Sequence, residues 1–122
     1  MTNRVLGLAV CLAFGLLAHE GHDAHHGKTA SFTGTVVDTG CYVSHNSTGA
    51  SHLACAQACA KKGVPLAIVD EKGTLYLPIA VEHQDQNAKL MPFIEKKVKI
   101  TGTVLEKGGL KGIAIKTVEA VP

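Results

Sequence analysis

Five short runs rich in Val, Thr and Ile, each closed by turn residues, set the limits on what this chain can fold into. They are residues 31–38 (SFTGTVVD), 66–70 (LAIVD), 74–79 (TLYLPI), 96–105 (KKVKITGTVL) and 110–118 (LKGIAIKTV). Such runs read as strands, and the fourth alternates apolar with polar residues like a half-buried one. Glu71-Lys72-Gly73 between the second and third runs predicts a hairpin, and residues 106–109 turn the fourth run into the fifth. Pro78 falls near the end of its run, where an edge position tolerates it. Gly34 and Gly102 sit in mid-run, as bend points of a tightly coiled strand do. Thr33–Gly40 (TGTVVDTG) and Thr101–Gly108 (TGTVLEKG) echo each other, an echo too short for a repeat architecture. The pattern predicts a mainly β protein: a small five-stranded OB-like barrel with one or two inserted short helices.

Length and composition exclude several classes. With 122 residues, the chain has no room for a (β/α)8 barrel or a two-half dinucleotide fold. Aromatics make up only 4% and Trp is absent, which removes the stacking platform of a single-strand binder. A formal net charge of +2 is too small for a phosphate-tracking groove, so no nucleic-acid partner is expected. Neither a catalytic Ser/His/Asp order, a phosphate-cradling Gly loop nor H-E-x-x-H is present, and no enzymatic activity is expected.

Arg4 precedes an apolar run of fourteen residues, Val5 to Ala18. A membrane span needs about 20 apolar residues, so a basic start and a short run ending in a small residue predict a signal peptide over 1–18. The expected destination is the periplasm or the medium, without stable membrane insertion. Cleavage after Ala18 would leave 104 of the 122 residues and three cysteines: Cys41, Cys55 and Cys59. Exported cysteines meet oxidising conditions, and three is an odd number.

Those cysteines belong to the densest chemical feature of the sequence. Cys41 and His45 are spaced C-x3-H, Cys55 and Cys59 are spaced C-x3-C, and His52 lies three residues before Cys55. All five fall within nineteen residues. Residues 51–62 (SHLACAQACAKK) predict an Ala-rich helix with Ser51 as cap, lysines in the last turn and Gly63 as stop. On such a helix His52, Cys55 and Cys59 share an arc of roughly 60°. Residues 41–49 (CYVSHNSTG) read as a loop able to fold over that face. Three thiolates and one imidazole make a tetrahedral set for zinc, and thiolates with imidazole also suit Cu(I). His45 is the first choice for the fourth ligand and His52 the second.

Two other readings stay open. Cys41 bridged to Cys55 or Cys59 would make a disulfide-braced module without metal; a bridge between Cys55 and Cys59 is disfavoured, because disulfides hold Cβ atoms about 3.8 Å apart. Cycling of Cys55 and Cys59 would make a thiol redox protein, which calls for one thiol of depressed pKa. A second metal-binding candidate lies at 19–30. Four of the seven histidines, His19, His22, His25 and His26, crowd into eight residues of a polar tail suited to gathering metal.

The run Gly34–Asp38, Cys41 with His45, Cys55 with Cys59, Lys61–Gly63 and Lys97–Thr103 together resemble the DUF5818-like small secreted bacterial domains. The resemblance spans roughly Phe32 to Val118 and excludes the His-rich tail. It implies an OB-like barrel in which the three cysteines and His45 travel together as a site, and it implies no activity. Cys55-x3-Cys59 also resembles the cysteine pair of Sco-type copper chaperones, with His83 as the downstream histidine. Those proteins are larger and carry Pro after the second cysteine where this chain has Ala60, so only the idea of copper carries over. The expectation is an exported protein that holds zinc or copper, for storage or delivery.

Overall fold

The computed structural model describes residues 27–122. The expected signal peptide and His19, His22, His25 and His26 lie outside the described residues. The described chain runs β1 (Lys28–Asp38), α1 (Thr39–His45), a 3-10 turn (Ala50–His52), α2 (Leu53–Lys61), β2 (Leu66–Asp70), β3 (Leu75–Pro78), a second 3-10 turn (Met91–Phe93), β4 (Lys97–Lys107) and β5 (Leu110–Ala120). The five strands close into a barrel in the order β1-β2-β3-β5-β4. All pairings are antiparallel except β3 with β5. This is the small OB-like barrel that the spacing of strand and turn signals predicts.

Strand-forming side chains turn inward to make the core. Val36, Ile68, Val98, Ile100 and Ile113 are fully buried, joined by Leu66 and by Leu90 and Ile94 from the β3–β4 connection. Closure leaves no open edge for Pro78. β3 pairs with β2 at Leu75 and Tyr76, then with β5 at Leu77 and Pro78, so the proline sits where the strand changes partners.

The mid-strand glycines mark tight places. Gly102 lies at the register shift of the β4–β5 ladder, packed against the backbone of Ala114. A Cβ on Gly34 would come within 2.6 Å of the Val69 carbonyl oxygen and of Ile68 Cγ2. The predicted β2–β3 hairpin is held by Asp70, whose Oδ1 accepts from Lys72 N–H at 2.9 Å and Thr74 N–H at 2.8 Å. Gly73 takes the left-handed φ of 80° that the turn needs.

The β1–β2 connection, 39–65, carries both helices. Thr39 donates from its backbone N–H and its hydroxyl to the Pro65 carbonyl at 3.0 and 2.9 Å, tying the two ends of the insert together at the barrel rim. α2 lays Ala56 and Ala60 against the core, one turn apart on one face. It ends as its sequence predicts. Gly63 takes φ 91° and donates to the Ala60 carbonyl at 3.0 Å, while Val64 donates to the Cys59 carbonyl at 3.1 Å.

Two local expectations are corrected. Residues 39–45 form α1 where a turn and a loop were expected, because the Asp38 carboxylate caps the segment by accepting Cys41 N–H at 2.9 Å. Ser51 does not cap α2. The residues before Leu53 form a separate 3-10 turn, and α2 starts from His52 with no side-chain cap.

Two outcomes test this description. Gly34→Ala should destabilise the barrel by about 1–3 kcal/mol through overpacking, read as a lowered melting temperature. Burial alone would raise the Asp70 pKa, but the Thr74 and Lys72 N–H bonds and the Tyr76 hydroxyl outweigh it and hold the carboxyl below its ordinary value. A folded-state pKa lowered in this way contributes stability that is complete above about pH 4 and is lost as pH falls through the lower folded value. Asp70→Asn should therefore cost about 1 kcal/mol at neutral pH and flatten the loss of stability in acid, measured by urea unfolding across pH.

Candidate metal centre

The site is assembled where the helical insert meets the barrel rim. Ala56 and Ala60 seat α2 on the core, which leaves Cys55 and Cys59 on the adjoining stripe of the same helix. Asp38 ends β1 and caps α1, which fixes Cys41 in the first turn of that helix. The result is convergence: Cys41, Cys55 and Cys59 bring their sulfurs within 4.8 Å of one another. Cys55 is exposed, while Cys41 and Cys59 are half-buried, and none of the three is in a disulfide. Sulfurs around one ion with bonds of 2.3 Å stand about 3.8 Å apart, so a metal would draw them in by at most about 1 Å.

A second group shares Cys41. Asp38, Cys41 and His52 also bring their ligand atoms within 4.8 Å of one another. The Asp38 side chain is fully buried, and its Oδ2 has no hydrogen-bond partner. His52 lies 3.6 Å from that oxygen through Nδ1, and the same nitrogen is 2.9 Å from Glu95 Oε1. Its Nε2 is buried without a partner. Glu95 is itself held: its Oε2 accepts from Thr48 Oγ1 and Gly49 N–H, each at 2.7 Å, and its N–H donates to the Val36 carbonyl at 2.8 Å. Glu95 carries a left-handed φ of 59°, a conformation that costs about 1 kcal/mol for a non-glycine residue.

The surroundings of the cluster favour the protonated thiols of Cys41 and Cys59 when no cation is near. Burial pushes the Cys41 pKa up to about 12, with further contributions from its hydrogen bond to Cys55 and from the negative charges of Asp38, Cys55 and Cys59. Cys59 is raised as well, by burial first and then by Cys55 and Asp38. A bound cation reverses this balance, because it supplies the charge that the thiolates need.

Placement of the five expected ligands is uneven. Cys41, Cys55 and Cys59 come together. His52 joins Asp38 and Cys41; it stands in the 3-10 turn and not on α2, so the single arc expected for His52, Cys55 and Cys59 is broken there. His45 is exposed at the last residue of α1 and belongs to neither group. The loop expected to fold it over the helix is itself a helix that carries it outward. Two participants escaped the sequence reading. Asp38 had a usable signal, a carboxylate three residues before Cys41 at a helix start. Glu95 had none, since it meets His52 across 43 residues of sequence.

No protein-family model, curated protein or solved structure matches the chain.

Exposure and protonation make a direct prediction for the reduced, metal-free protein at pH 8. Iodoacetamide should modify Cys55 first and Cys41 last, followed by mass spectrometry of digested samples over time. Equal rates at Cys41 and Cys55 would contradict the surroundings described for Cys41.

Proposed function

We propose that this is an exported protein that binds a transition metal, zinc or copper, through Cys41, Cys55 and Cys59, and that it stores or delivers that metal. The observation that carries the reading is the convergence of three sulfurs within 4.8 Å from two helices that the fold seats separately. Thiolates select soft and borderline metals; three satisfy Cu(I), and a zinc ion there takes a fourth ligand. Exposure of Cys55 gives an incoming or departing ion a ligand that solvent and a partner can reach. Export rests on the basic, apolar N-terminal segment, and metal gathering by the tail rests on His19, His22, His25 and His26. Among the described residues, no helix is long and apolar enough to cross a membrane.

Within the Cys55–Cys59 pair the Cys59 thiol is raised, chiefly by burial, which counts against Cys59 as an attacking thiolate in a redox cycle. The protein's role here is to hold an ion, with no catalytic step assigned.

Elemental analysis of the untagged protein beside Cys55→Ser tests the reading. The expected result is near-stoichiometric zinc or copper in the wild type and loss of at least 10-fold in affinity in the variant. Metal equally absent from both, with a single free thiol per mature wild-type chain, would replace this reading with a disulfide-braced barrel.

A further inference from the structure

The three-thiolate group leaves something unexplained beside it. Asp38 is a wholly buried carboxylate with one oxygen unpartnered, and it faces a histidine whose Nε2 is also buried and unpartnered. Leaving such groups unsatisfied is costly, and more so for a charge.

An imidazolium would answer only half of this. Protonated His52 would place one N–H toward Glu95 and Asp38, but its second N–H, on Nε2, would be a buried donor with no acceptor. Neutral His52 donating from Nδ1 to Glu95 fits better. It leaves a lone pair on the buried Nε2, in a ring one of whose nitrogens lies within 4.8 Å of an Asp38 oxygen and of the Cys41 sulfur. A ligating imidazole that donates its other N–H to a carboxylate is the usual arrangement around metals. Here that carboxylate, Glu95, is anchored in turn by Thr48 and Gly49.

The two groups share Cys41 and do not merge. Neither Asp38 nor His52 joins Cys55 and Cys59 in one mutually close set. From this geometry we infer that the protein holds two metal ions, the second a divalent ion of zinc type bound by Asp38, His52 and Cys41, with the Cys41 thiolate bridging to the ion of the three-cysteine site. The inference rests on the proposed metal-binding function and extends it. Charge supports it. Three thiolates, Asp38 and the adjoining Glu95 carry five negative charges; two divalent ions offset four of them, whereas one offsets only two. The ligand sets also differ in softness: sulfur alone on one side, and oxygen, nitrogen and one sulfur on the other.

The experiment is a zinc titration of the full reduced chain, read by native mass spectrometry and by NMR of the cadmium-substituted protein. The variants are Asp38→Asn, which retains an oxygen to cap Cys41 N–H, and His52→Ala, each checked for folding by circular dichroism. Whatever the His-rich tail binds is common to all samples and cancels in the comparison. The expected result is loss of one zinc equivalent in both variants. One cadmium resonance, that of the oxygen- and nitrogen-bound ion, should disappear while the thiolate-rich one remains. Unchanged stoichiometry and spectra in both variants would overturn the inference. So would a weakened thiolate-bound ion with no equivalent lost, which would make His52 a fourth ligand of a single ion. Failure of the underlying function would look different: wild type and Cys55→Ser would bind equally, with no thiolate-rich resonance in either.

Discussion

The site depends on one buried carboxylate. Asp38 is the last residue of β1 and lies inside the barrel wall, where its backbone pairs with Leu66 of β2. One of its oxygens accepts Cys41 N–H and so starts α1 at a fixed angle to the strand. The other faces His52. A charge in that position is costly unless its surroundings compensate it, and each compensating group is also part of the candidate metal centre. Strand end, helix start and ligand orientation are thus set by the same side chain.

The barrel supplies the rigidity that such a cluster needs. α1 and α2 leave β1 and return to β2, adjacent strands whose ends are joined by the bonds from Thr39 to Pro65. A similar tie acts across the β3–β4 connection. Asn87, almost fully buried, accepts Leu66 N–H and donates to the Val64 carbonyl, each at 2.9 Å. Glu95 hangs from β1 through Val36. The histidine partner is therefore held by the backbone of β1, the strand that also carries Asp38. Precise placement of ligands before an ion arrives lowers the ordering cost of binding. Protonated Cys41 and Cys59 make the same cluster tolerable without metal, since they carry no charge into a half-buried site.

Much of the fold was legible because its determinants are local. The run Leu66–Asp70 and the turn at Gly73 are fixed by side-chain type and glycine conformation within a few residues. The end of α2 at Gly63 is likewise a near-neighbour effect. Gly34 and Gly102 could be singled out because strands rarely keep a glycine without a close approach. Other features were misjudged where two local signals competed. Thr39-Gly40 looks like a turn until Asp38 is recognised as a cap, and Ser51 looks like a cap until the chain spends one more turn in 3-10 geometry.

By itself, the sequence determined the barrel, the helix bearing Cys55 and Cys59, and the presence of three cysteines close in chain position. Periodicity, turn chemistry and i,i+4 spacing act over a few residues and need no knowledge of the rest of the chain. Only the tertiary structure decided which imidazole and which carboxylates lie beside the cysteines. His45 has the more suggestive spacing from Cys41, yet it points into solvent at the end of α1. His52 stands beside the cluster, with Glu95 brought to 2.9 Å from a distant connection and Asp38 at 3.6 Å. Those contacts exist only once β1, β2 and β4 have paired, and strand pairing over such separations leaves no trace in the spacing of residues along the chain.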